Sequence, residues 1–108
     1  MTKQYEFIAE HVPGEAVLCQ IAEEAAELAQ AAMKLLRAET GINPTPVSTA
    51  TALYNILEEF ADVHVAENVF MANFDTDMKR NYQSRIDAII DEKTERWAQR
   101  IKESESND

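Results

Sequence analysis

The chain has 108 residues, 45% of them apolar, enough to expect one domain over residues 1–108 around one core. With only 2 Gly and 3 Pro it lacks the turn residues of an all-β fold, and its Ala, Glu, Leu and Gln favour helix, so an all-α class is expected. A formal net charge of −10 argues against a nucleic-acid binder, which needs positive charge to displace phosphate counterions.

Acidity leaves small anionic substrates open, because a bound divalent metal inverts the local field. The N-terminal stretch has no apolar run of the signal-peptide kind, and no segment reaches the ~18 apolar residues of a membrane span. The expectation is a soluble, cytoplasmic protein with no membrane partner. The one cysteine, Cys19, falls inside a predicted helix and reads as a small buried apolar residue in a reducing compartment.

In chain order, Thr2 to His11 reads as a short helix, broken by Pro13-Gly14. A long helix is predicted from about Glu15 to Ala38, with Gly41 as its stop and "NPTP" at 43–46 as a stiff connector. The surrounding "TGINPTPV" is either a plain connector or the border of a ligand pocket. Ser48 or Thr49 can cap a second long helix reaching about Phe74. Asp75 or Asp77 can cap a third, from about Met78 to Glu103, followed by a polar, frayed tail. The architecture expected is a helical bundle of three long helices plus a short N-terminal one, completed by oligomerisation.

On a helical wheel the first long helix carries an apolar stripe of Leu18, Ile21, Ala25, Leu28, Ala32, Leu35 and Leu36. Glu24 falls at its edge, Glu27 further round, and Glu23 points away. The second long helix is apolar nearly all round from Phe60 to Phe74, which is hard to bury within one small protomer and predicts a partner subunit. The third places Tyr82, Ile86, Ile89, Ile90, Trp97 and Ile101 on one face, with Trp97 read as core. Lys93, Arg96 and Arg100 form a basic lane beside it.

Two stretches carry the chemistry: "AEEAAEL" at 22–28 and "LEEFADV" at 57–63. Residues three apart on a helix project to nearly the same side, so Glu24 converges with Glu27, and Glu59 with Asp62. One such pair fits a solvated face; two pairs, each bordering an apolar stripe, do not. If the two helices pack antiparallel, four carboxylates face one another, and a partly buried site of that kind needs a counter-charge. Mg²⁺, or Mn²⁺, suits an all-oxygen donor set. No His or Cys joins at the spacing zinc wants, and the Glu-x-x-His pairs of di-iron bundles are missing. Glu23 and Glu58 read as outer acceptors. His64 reads as structural or interfacial, and Asn73 as a helix cap or a nucleoside contact.

The run "EEAAELAQAAMKLL" followed by "EEFADVHVAENVF" resembles the all-α nucleoside triphosphate pyrophosphohydrolases, the superfamily of MazG-like proteins, dimeric dUTPases and dCTP pyrophosphatases. Its EExxE helix matches Glu23, Glu24 and Glu27, and its ExxD helix matches Glu59 and Asp62. The ending "EKTERWAQRI" resembles the KxxRxxxR close of small MazG-like members, through Lys93, Arg96 and Arg100. The resemblance covers roughly residues 15–102.

It implies hydrolysis of an NTP or dNTP at the α-phosphorus, giving the monophosphate and pyrophosphate in nucleotide-pool control. Metal would be held by Glu24, Glu27, Glu59 and Asp62, with Glu27 as the base. Lys93, Arg96 and Arg100 would hold terminal phosphate charge, and the enzyme would be a homodimer or homotetramer. Where many relatives carry a lysine one turn before the acids, this chain has Gln20. Either Gln20 binds more weakly, or Lys34, Lys93 or a partner subunit supplies the charge. The alternative expectation is a non-catalytic acidic interaction or regulatory module on the same scaffold.

Overall fold

The computed structural model describes residues 2–43 and 46–107. Pro44 and Thr45, the centre of the expected "NPTP" connector, lie outside the described residues. All regular structure among the described residues is helix: α1 (Thr2–His11), α2 (Gly14–Thr40), α3 (Thr49–Met71) and α4 (Thr76–Ser106). The chain divides into two compact units, Met1–Asn73 and Phe74–Asp108. No helix among the described residues is long and apolar enough to cross a membrane.

Local chemistry sets the boundaries. α1 gives way before Pro13, which has no N–H to donate and disfavours helix in the residue before it. α2 stops at Gly41, whose left-handed backbone (φ 72°) turns its N–H back onto the Arg37 carbonyl. Ser48 is the cap of α3, its hydroxyl accepting from the Thr51 N–H at 3.1 Å. α3 ends at Met71, short of the expected Phe74. Asn73 lies just past that end and donates its side-chain amide to the Val69 and Phe70 carbonyls, capping contacts at the helix terminus. Asp75, of the two candidates, caps α4 by accepting from the Met78 N–H at 2.9 Å. α4 continues to Ser106, past the expected fraying point near Glu103.

In the first unit α2 and α3 form an antiparallel hairpin. Thr49 donates to the Ala38 carbonyl at one end, and Val17 and Val69 line one hollow at the other. α1 packs on α3. The inward lane of α2 is Val17, Ile21, Glu24, Leu28, Ala31, Leu35 and Ala38, all buried or half-buried, at spacings alternating four and three. The matching lane of α3 is Ala52, Ile56, Glu59, Val63, Ala66 and Phe70, with Asp62 and Val69 beside it.

This corrects the expected stripe. Ile21, Leu28 and Leu35 do face inward, but Leu18, Ala25, Ala32 and Leu36 are exposed and Glu24 lies on the seam itself, not at its edge. α2 carries two adjacent apolar lanes, and the wheel favoured the one with more leucine and no carboxylate. Small Val17, Ala31 and Ala38 on the other lane let α3 approach closely. Cys19, expected inside, is exposed.

None of the described residues of α4 is buried. Tyr82 and Ile86 are half-buried, with Tyr82 edge-on to Phe74 at 5.0 Å between ring centroids. Trp97, expected in the core, is 70% exposed.

Candidate metal centre

The hairpin seam brings the two acid pairs together. Glu24 and Glu27 from α2 and Glu59 and Asp62 from α3 each offer a carboxylate oxygen, and these oxygens all lie within 4.8 Å of one another. Glu24, Glu59 and Asp62 are half-buried and Glu27 is exposed. The i,i+3 spacing aims each pair across the seam, and the antiparallel run sets Glu24 beside Asp62 and Glu27 beside Glu59.

The electrostatics is that of crowded anions. Burial pushes the Glu59 carboxyl above its ordinary range, and the charges of Glu27, Asp62, Glu24 and Glu58 add to the rise. Burial also raises Glu24, helped by Glu27 and Asp62. Gln20 opposes this by donating its Nε2 to Glu24 Oε1 at 2.6 Å, without cancelling it.

One oxygen on each of the two seam glutamates, Glu24 Oε2 and Glu59 Oε2, is buried with no hydrogen-bond partner. Buried polar oxygens normally find partners, so two orphans in one cluster call for an electropositive ligand. The donor set is all oxygen with no His or Cys, which fits a hard divalent cation such as Mg²⁺ or Mn²⁺.

The other expected residues are placed as follows. Gln20 touches the cluster through Glu24. Glu23 is exposed on α2, facing away from the seam. Glu58 is exposed and borders the site through the hollow it shares with Glu59. Lys93, Arg96 and Arg100 are exposed on α4, in the second unit. Arg96 is paired with Glu92 at 2.7 Å and shares a surface cleft with Arg100, Glu95 and Glu103. His64 is exposed, with its Nδ1 3.3 Å from Glu67 Oε1.

Two hollows flank the acids. One, of about 350 Å³, is walled by Ile8, Val12, Val17, Val65 and Val69, and reaches Gln20, Glu24 and Asp62. The other, of about 360 Å³, is bordered by Glu27, Gln30, Lys34, Asn55, Glu58 and Glu59. Sequence reasoning missed the contribution of α1 to the first. The available signal was Ile8 and Val12, an i,i+4 apolar pair just before the break at Pro13.

No protein-family model, curated protein or solved structure matches the chain.

Proposed function

We propose that the protein is a Mg²⁺-dependent nucleoside triphosphate pyrophosphohydrolase, able to use Mn²⁺, which converts an NTP or dNTP to the monophosphate and pyrophosphate. The observation that carries this reading is the convergence of Glu24, Glu27, Glu59 and Asp62, with orphaned buried oxygens, beside an apolar hollow of nucleoside size. The likeness of both acid motifs to the MazG-like superfamily supports it from the sequence side.

The four carboxylates would hold the ion, which supplies charge neutralisation at phosphate oxygens and acidification of water. Glu27, the exposed member, is the carboxylate open to take the proton of the attacking water. Ile8, Val12, Val65 and Val69 exclude water from the nucleoside, and Gln20, which lines the same hollow, fixes Glu24 through its amide. Lys93 and Arg100, which make no ion pair among the described residues, and Arg96, once released from Glu92, supply positive charge to the terminal phosphate.

Oligomerisation belongs to the same proposal. The outer faces of the hairpin leave Leu18, Leu53, Leu57 and Phe60 each about half exposed and Tyr54 73% exposed, an apolar surface suited to a second copy. A homodimer or homotetramer is expected in sedimentation, and a stable monomer would refute it.

The test of function is pyrophosphate release from a panel of NTPs and dNTPs with Mg²⁺. Turnover of none of them would overturn the reading. A non-catalytic interaction module is the second reading, favoured by Gln20, which gives its amide to Glu24 where many members of the resembled family carry a lysine. In that case neither Mg²⁺ nor a non-hydrolysable nucleotide raises the melting temperature.

A further inference from the structure

The four acids stand at the junction of two hollows of opposite character. The apolar one, bordered by Glu24 and Asp62, offers Gln20 as its one neutral polar side chain. The polar one, bordered by Glu27 and Glu59, is lined by two amides, Gln30 and Asn55, and by Lys34. Lys34 is the one basic side chain lining either hollow, in a unit whose only other bases are Lys3 and Arg37. It makes no ion pair among the described residues, although it shares this hollow with three glutamates.

Helix geometry gives Lys34 its reach. It lies seven residues beyond Glu27, nearly two turns, so both project from the same side of α2, about 10 Å apart along the axis. Long side chains on a helix lean back toward its N-terminus, which tips the Lys34 ammonium toward the Glu27 turn.

We infer that the polar hollow is the subsite for the pyrophosphate half of the substrate, and that Lys34 is the hairpin residue that supplies positive charge to it. The inference rests on the proposed hydrolase reading. A polyphosphate chain leaving the acids has two directions to take. Among the aliphatic side chains it loses hydration with almost nothing to replace it; toward Lys34 it meets a cation and the amide donors of Gln30 and Asn55. The nucleoside then takes the aliphatic side.

In the reaction the water oxygen bonds to the α-phosphorus and the bond from that phosphorus to the α,β-bridging oxygen breaks. The electron pair leaves with pyrophosphate, and the water proton passes to a carboxylate and on to solvent. Lys34 neutralises the charge that grows on the leaving group.

The test compares wild type, Lys34→Ala and Lys34→Arg in calorimetric titrations with Mn²⁺ alone, with inorganic pyrophosphate in saturating Mn²⁺, and with a nucleoside monophosphate in saturating Mn²⁺. Lys34→Ala is expected to weaken pyrophosphate binding about 10- to 100-fold, leaving Mn²⁺ and monophosphate affinities unchanged. Lys34→Arg is expected to restore most of the loss. Pyrophosphate affinity unchanged in Lys34→Ala, with NTP turnover intact in wild type, overturns this subsite and leaves the hydrolase reading standing. A wild-type protein that binds Mn²⁺ but neither pyrophosphate nor nucleotide overturns both.

Discussion

The α2–α3 hairpin and α4 are both built from long, charge-rich helices, and they dispose of charge in opposite ways. On α4 charged side chains find polar partners along the helix itself: Gln83 to Asp87, Arg96 to Glu92 and Gln99 to Glu103, each four residues apart. Contacts of that kind form on any solvated helix and contribute little. On the hairpin four carboxylates meet across two helices, and two of their oxygens are buried without partners. Like charges gathered on a seam oppose folding, so a local structural role does not account for them, whereas a bound cation would. Charge that satisfies itself along a helix says little about function; charge that the fold holds unsatisfied says a great deal.

The sharpest break in this contrast comes from neutralising the seam. Asp62→Asn and Glu59→Gln are expected to lower pyrophosphate release by about 100-fold or more, measured as kcat/KM with saturating Mg²⁺. Glu23→Gln, which changes the acid next to a seam glutamate, is expected to do far less, because Glu23 is exposed and lines neither hollow. Equal losses from the inner and outer members would mean that the seam has no special standing.

Acidity provides the next contrast, read as stability against pH in the absence of metal. Glu24 and Glu59 bind their protons more tightly in the fold than in the unfolded chain. Between the ordinary carboxylate range and their raised values the folded state therefore carries more protons. The stability they contribute is fully present below the ordinary range and is lost as pH rises through the raised values. The metal-free melting temperature should fall over that window more steeply in wild type than in a Glu24→Gln, Glu59→Gln double variant. Added Mg²⁺, which competes with those protons, should stabilise wild type increasingly as pH rises and leave the double variant unmoved. Parallel pH profiles for the two proteins would rule out seam carboxylates as the source.

The sequence made the elements and the acid set legible, for local reasons. Pro13, Gly41, Ser48 and Asp75 act within a few residues, so helix boundaries follow from short-range chemistry. The three-residue spacing of the acids fixes their common side whatever else the chain does. What the letters hid was the rotation of α2. It has two apolar lanes one residue apart, and only the packing of α3 decides that Val17, Glu24 and Ala31 turn inward while Leu18, Ala25 and Ala32 turn out. The same dependence on a neighbour hid the apolar hollow, which needs Ile8 from α1 and Val12 just after it as well as Val65 and Val69 from α3. Trp97 failed for the converse reason: an apolar stripe signals a core only where something covers it, and α4 buries none of its described residues.

The smallest expected effect concerns α4 and decides whether its basic lane is more than a solvated face. Glu92 holds Arg96 at 2.7 Å, with both side chains largely in solvent. An exposed pair of this spacing contributes about 0.3–0.5 kcal/mol, so Glu92→Ala should hardly move the melting temperature. On the proposed role of Lys93, Arg96 and Arg100, the same substitution frees a guanidinium and removes a negative charge from the lane. KM for the nucleoside triphosphate should then fall, and the drop should shrink as salt is raised, since exposed charges are screened over about 10 Å at 0.1 M. An unchanged KM at low salt would leave α4 as a helix whose charges serve only each other, and would concentrate phosphate binding on the hairpin.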